Sequence, residues 1–207
     1  MKKIITLSYD GLVANTHILF LNDKDVVCFD VGQDKNQLMD YLNNHNLNLL
    51  GVFITHGHID HIRGLPNIDE NIPIYIHKDD HHLLNDPYYN LSNLIPPKFS
   101  IDREVIEVED DSCIVIKDTS IKCIHTPFHT LGSCCFLIDD WGLISGDTLF
   151  HLSIGRTDLK GGYKHLENNS LKKLLAIKEN LLIYPGHGIN TTLEIERQKN
   201  PFLKNIK

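Results

Sequence analysis

Three histidines and one aspartate fall within six residues in the run Thr55-His56-Gly57-His58-Ile59-Asp60-His61. The run follows directly on residues 49–54, a continuous apolar stretch of strand length. Both faces of such a strand need cover, as in a sheet flanked by helices. Side chains repeat every two residues in an extended chain, so His56 and His58 point the same way and can bind one metal ion side by side. The chain then turns, and Asp60 and His61 can face a second ion. Neutral imidazoles and carboxylates suit zinc, and they also suit iron or manganese.

Three later segments share one layout, a buried strand followed by a loop with Gly or Pro and a potential ligand. Residues 121–124 lead into His125-Thr126-Pro127-Phe128-His129-Thr130-Leu131-Gly132. Residues 142–145 lead into Gly146-Asp147-Thr148, and residues 181–184 into Pro185-Gly186-His187-Gly188. Strand ends are where folds of this type assemble sites from distant positions. A lone loop histidine means little. With the first cluster, Asp147, His187 and either His125 or His129 complete a set large enough for two ions and an open water position.

The rest of the chain predicts mixed sheets covered by helices. Strands are expected at 3–7, 16–21, 25–29, 74–76, 104–108, 113–116 and 134–138, besides those above. Asp34 and Gln37 read as a capping pair for a helix whose apolar face is Leu38 and Leu42. Further helices are expected at 78–85, 163–177 and 193–199. No stretch has the composition of a linker, so the 207 residues are expected to form one domain, 1–207.

Composition narrows the partners. Lys plus Arg is 20 and Asp plus Glu 27, a formal charge of −7, which disfavours a nucleic-acid binder. No apolar run approaches a membrane span, and the apolar stretch after Met1-Lys2-Lys3 is too short for a signal peptide. The five cysteines are odd in number and show no C-x-x-C spacing, so a reducing, cytoplasmic setting is expected. The partner expected is a small-molecule substrate, with neither nucleic acid nor membrane involved. The oligomeric state is left open.

The ordered set H-x-H-x-D-H, His, Asp, His resembles the metallo-β-lactamase superfamily, through nearly the whole chain. The resemblance implies an α/β fold, a four-layer αββα sandwich with metals at one edge of the sheets. It implies that His56, His58 and His129 hold the first ion, Asp60, His61 and His187 the second, and that Asp147 bridges them. His129 takes the third-histidine role because the family's Thr-Pro-Gly-His-Thr loop aligns with it; His125 stays at the strand end. Two divalent transition-metal ions are implied, zinc first, with iron or manganese as alternatives.

Within the superfamily, Ser145-Gly146-Asp147-Thr148-Leu149-Phe150 and Ser153-Ile154-Gly155-Arg156-Thr157-Asp158 resemble the glyoxalase II-like hydrolases. The chain ends about twenty residues after His187, which resembles their short, single-domain branch. The expected reaction is metal-assisted hydrolysis of thioesters of the S-lactoylglutathione type, with Asp60 both ligating metal and orienting the attacking hydroxide. A mononuclear-iron persulfide dioxygenase, a lactonase or a phosphodiesterase are the alternatives. Three residues depart from the pattern. Phe128 stands where a glycine is usual and is expected to line the pocket mouth or pack against the neighbouring loop. Lys160 and Tyr163 flank Gly161-Gly162 where Pro and Asp are usual. Arg156 and Asp158 are read as an ion pair supporting the metal loops.

Overall fold

The computed structural model describes residues 3–9, 11, 13–33, 36–204 and 206. Six strands form the first sheet in chain order: β1 (Lys3–Leu7), β2 (Thr16–Phe20), β3 (Asp25–Phe29), β4 (Asn48–Ile54), β5 (Ile74–His77) and β6 (Ile106–Val108). The first three are antiparallel, and β3 to β6 run parallel. The second sheet uses β7 (Cys113–Ile116), β8 (Thr119–His125), β9 (Cys134–Ile138), β10 (Gly142–Gly146), β13 (Leu182–Pro185) and β14 (Thr191–Thr192), in the order β14-β13-β10-β9-β8-β7. A small hairpin, β11 (Leu149–Phe150) and β12 (Ser153–Ile154), lies between β10 and β13 in the chain.

Alternation along the strands explains the layers. In β2, β3 and β4 the side chains of Ile18, Phe20, Val26, Cys28, Val52 and Ile54 enter an outer core. Their neighbours Leu19, Val27, Phe29 and Phe53 point the other way, into a core shared with Ile121, Cys123, Phe136 and Ile144 of the second sheet. Period-two side chains with both faces buried read as continuous apolar runs, which is what the sequence displays. Helix α1 (Gln37–Asn44) closes the outer core with Leu38 and Leu42. On the far side, α3 (Glu167–Leu175) and α4 (Leu193–Lys199) bury Leu171, Leu174 and Leu193 against Cys135, Leu143 and Ile183. The result is the four-layer αββα sandwich. Among the described residues no helix is long and apolar enough to cross a membrane.

Several elements differ from the sequence reading. The expected capping residue Asp34 lies outside the described residues; Asn36 precedes the first helical turn and makes no side-chain cap. The helix expected at 163–177 opens as a 3₁₀ turn, Lys164–Leu166, and is α-helical only over Glu167–Leu175. Its entry is tied down because the Tyr163 amide donates to the Phe128 carbonyl at 2.7 Å. Residues Lys78–Leu84 form a 3₁₀ helix, with the Asp80 side chain turned fully inward. A four-residue helix, α2 (Ile59–Ile62), and the strand pairs β11–β12 and β13–β14 carry no periodic signal because they are too short to repeat. Cys28, Cys123, Cys134 and Cys135 are buried free thiols, and Cys113 is exposed.

Candidate metal centre

All the candidate ligands leave the same end of the two sheets. His56 follows β4 by two residues, Asp147 follows β10 directly, His187 follows β13 by two, and His129 follows β8 by four. Parallel pairing of β10 with β13 aligns Gly146 with Pro185, so the chain delivers Asp147 beside His187. Gly186 leaves room for them: a side chain there would run into Asp147 Oδ1 and His61. Helix α2 turns the chain after His58, its extended N-terminal neighbour, and so swings Asp60 and His61 away from His56.

Two clusters result. The ring nitrogens of His56, His58 and His129 gather within 4.8 Å of one another, as do ligand atoms of Asp60, His61 and His187. In the first, His58 Nδ1 lies 3.1 Å from His56 Nε2 and 2.9 Å from His129 Nε2. In the second, His187 Nε2 lies 3.0 Å and His61 Nε2 3.7 Å from Asp60 Oδ2. Asp147 sits between them, with Oδ1 3.3 Å from His61 Nε2 and Oδ2 3.5 Å from His129 Nε2. His125 stands elsewhere: its Nε2 donates to the Leu131 carbonyl at 2.8 Å, and its ring stacks on His77 at 3.8 Å.

Surrounding groups set the ring orientations. Thr55 donates its hydroxyl to Asp30 at 2.8 Å, leaving its oxygen to accept from His56 Nδ1 at 3.2 Å; His56 Nε2 is then the free donor atom. His129 Nδ1 donates to the Arg156 carbonyl at 2.8 Å, which aims Nε2 inward. His61 Nδ1 donates to Asp30 Oδ2 at 2.8 Å with both side chains fully buried. Carboxylate and carbonyl partners of this kind fix tautomer and ring direction at metal sites.

The electrostatics of the two clusters differ. Burial, with the neighbouring imidazoles, pushes His56 well down, and burial with His129 pushes His58 down to about 3. Burial also works against charge on His61, but Asp30, Asp147 and Asp60 outweigh it and raise His61 well above the usual imidazole range. Burial alone would raise Asp60 and Asp147, yet His61 and the other imidazoles hold both below the usual carboxylate range. Both acids are therefore ionised acceptors.

Of the seven buried side-chain polar atoms without a hydrogen-bond partner among the described residues, three belong to this site: His58 Nε2, His61 Nε2 and Asp147 Oδ1. Unpaired buried polar atoms are costly, and the last two face each other without hydrogen-bond geometry. Imidazole nitrogen and carboxylate oxygen with no thiolate among them fit divalent zinc, iron or manganese. The donor set therefore fits a pair of transition-metal ions.

Two acids that the sequence reading passed over hold this arrangement. Asp30, besides His61, accepts from the Thr55 amide at 2.8 Å. Asp80 accepts from the amides of Gly57 at 2.8 Å and Gly132 at 2.7 Å, and from the Thr130 hydroxyl at 2.7 Å. It thereby joins the loop carrying His56 and His58 to the loop carrying His129. An Asp-Val-Gly sequence at the end of an apolar strand is the only local signal for Asp30. Asp80 has none.

Phe128 does not line the pocket mouth. It is fully buried and packs with Leu149, Leu171 and Leu174 in the outer core of the second sheet. Lys160 lies over the rings of Tyr88 at 5.0 Å and Tyr89 at 5.2 Å, bridging two loops. Arg156 and Asp158 form a solvent-exposed, two-pronged pair at 2.6 and 2.7 Å.

The family model described as the metallo-beta-lactamase superfamily matches residues 9–187. The chain is 33% identical to a probable metallo-hydrolase, YqgX, of Bacillus subtilis, over 92% of each chain. It is 27% identical to the hydroxyacylglutathione hydrolase GloC of Haemophilus influenzae, over 91% of this chain and 92% of that one. Among solved structures it is similar to the BLEG-1 B3 metallo-beta-lactamase, with a TM-score of 0.88, 33% identity and coverage of 99% of this chain and 100% of that one.

Proposed function

The chain belongs to the metallo-beta-lactamase superfamily, and from that premise we propose that it is a dinuclear metal-dependent hydrolase of thioesters of the S-lactoylglutathione type. The observation that carries this is Asp147, whose carboxylate reaches both clusters: Oδ1 lies 3.3 Å from His61, and Oδ2 lies 3.5 Å from His129 and 3.7 Å from His187. A carboxylate so placed could be shared by an ion in each cluster. The similarity to the hydroxyacylglutathione hydrolase supports the choice of thioester.

His56, His58 and His129 would hold one ion, Asp60, His61 and His187 the other, and Asp147 both. Bound divalent ions supply an acidified water near neutral pH and a Lewis acid for the acyl carbonyl. The chain's own groups do the remaining work. Asp60 lines the cavity above the centre and is ionised, so its carboxylate accepts from the attacking water and orients it. Asp30 and the Arg156 carbonyl keep the His61 and His129 rings aimed inward. A thiol leaving group has a pKa of about 8.5 and departs as thiolate, so no side chain needs to donate a proton to it.

We further place the reaction within one domain, 1–207, acting on a small molecule in the cytoplasm, with zinc as the first metal to test and iron or manganese next. The test is metal content per chain, measured with turnover on a panel of thioesters, lactones, phosphodiesters and β-lactams. Two ions per chain and cleavage of thioesters are expected. Cleavage of another member of the panel with thioesters untouched would overturn the substrate assignment, as would oxygen uptake with a thiol persulfide.

A further inference from the structure

The ligand clusters form the floor of a cavity of about 460 Å³. Its walls are mainly apolar. Leu91, Leu94 and Ile95 come from the segment between Lys78–Leu84 and β6, Phe150 and Ile154 from the β11–β12 hairpin, and Leu159 from the loop beyond. Leu94 is 68% exposed and its neighbour Ile95 36%, so two adjacent apolar side chains of the lining are open to solvent. Arg156 is the single Lys or Arg among the lining residues, and its guanidinium is paired with the exposed Asp158.

The apolar segment is held in place. Arg63 donates to the Ile95 carbonyl at 2.8 Å and to the Pro97 carbonyl at 3.3 Å. The Asn90 side chain donates to the carbonyls of Leu83 at 2.8 Å and Phe99 at 3.1 Å. The Asn90 carbonyl accepts from the amide of Ile59, the first residue of α2, at 2.8 Å. Leu91 itself has a φ of +68°, a conformation that glycine adopts at lower cost. Its side chain lines the cavity.

A γ-glutamyl tripeptide thiol carries two carboxylates and an ammonium group, and each needs a polar partner where it is desolvated. The side chains of Leu91, Leu94, Ile95, Phe150, Ile154 and Leu159 offer none, which leaves Ser153 and the Asp158-paired Arg156 as the polar lining outside the ligand clusters. We propose that the Leu91–Leu94–Ile95 wall, with Phe150, Ile154 and Leu159, is a subsite for an apolar aliphatic group attached to the scissile thioester, on its carbonyl or on its sulfur. The proposal rests on the thioesterase reading and refines it: S-lactoylglutathione is cleaved, but alkyl thioesters are the better substrates.

The experiment uses the full-length, metal-loaded protein and two hydrolysis series. One varies the acyl chain from acetyl to octanoyl on N-acetylcysteamine; the other varies the alkanethiol of acetyl thioesters. A third arm measures, by calorimetry, the Kd of uncleavable S-alkyl thioethers of N-acetylcysteamine. In one hydrolysis series kcat/KM should rise about fourfold per added methylene until the wall is filled, and the series that responds identifies the side of the bond. Thioether binding should tighten in step. Leu94→Ser combined with Ile95→Ser, both at exposed or half-buried positions, should at least halve that dependence on chain length with metal content unchanged. Flat profiles in both series and in thioether binding, with turnover intact, would overturn the subsite and leave the thioesterase reading standing. Thioether binding that tightens with chain length while no thioester is cleaved would support the subsite and overturn the thioesterase reading. A chain-length dependence untouched by the double variant would overturn its assignment to this wall.

Discussion

His56, His58 and His129 meet as three imidazoles, two of which burial keeps neutral. Asp60, His61 and His187 meet as a carboxylate with two imidazoles, and buried acids hold His61 charged. The two clusters lie on either side of one aspartate, yet each prepares for a cation differently. The first is already in the ligating state. The second stores a proton where the ion would sit, and that proton must leave. Ligand count alone would have made the clusters look equivalent; the fully buried Asp30 behind His61 makes them different.

The largest expected effect tests whether the two clusters form one centre. Asp147→Ala should remove metal from both and lower turnover about a thousandfold or more, on the order of 4 kcal/mol of transition-state stabilisation. Asp147→Asn should weaken both. Normal metal stoichiometry and turnover in Asp147→Ala would break the bridge and with it the comparison.

The supporting acids separate the clusters. Asp30→Asn should weaken the Asp60–His61–His187 cluster for metal by about 10- to 100-fold and leave the three-histidine cluster within a few-fold. Competitive chelator titration reads both affinities. Asp80→Ala should act in the reverse sense. It leaves the buried amides of Gly57 and Gly132 and the Thr130 hydroxyl without their acceptor, at about 1–3 kcal/mol for each lost partner. Thermal unfolding should therefore shift down, and the affinity of the three-histidine cluster should fall with it. Identical profiles for the two variants would argue that the clusters share one support.

A smaller effect concerns pH. An imidazole must be neutral to ligate. His61 has its folded pKa raised, so below that value metal entry must expel a proton. Affinity of its cluster should climb with pH, by up to about tenfold per unit for each proton, and level off above the raised pKa. His58 titrates only near 3, so protonation of that ring should not weaken the three-histidine cluster from pH 5 upward. Calorimetry in buffers of different ionisation enthalpy counts the protons, and equal release in both binding steps would contradict the assignment. The smallest effect is on the exposed Arg156–Asp158 pair. Arg156→Ala keeps the backbone carbonyl that holds His129, and should leave metal stoichiometry unchanged and kcat/KM altered by less than about fivefold.

The candidate metal-binding chemistry was legible before any fold was known because four donors lie within six residues after a buried strand. Adjacency along the chain there becomes adjacency in space. The layered sandwich was legible for a related reason, since strands buried on both faces must be apolar throughout and so announce themselves. The resemblance singled out His129 over His125, and the coordinates put His129 beside His58 while His125 stacks on His77. Phe128 was misread in part, because a loop residue's sequence neighbours say nothing of whether its ring turns toward a cavity or into a core.

By itself the sequence determined which side chains could serve as donors, which strands carry them and the class of chemistry they permit. Tertiary structure alone decided that Asp30 charges one cluster and that Asp80 ties the loops of the other. It alone decided that Leu91, Leu94 and Ile95 wall the cavity. The physical reason is the range of the contacts. Asp30 meets His61 across 31 positions, Asp80 meets Gly132 across 52, and His187 meets Asp60 across 127. No local periodicity records such pairs; they exist only once two sheets have packed and brought their strand ends to one edge.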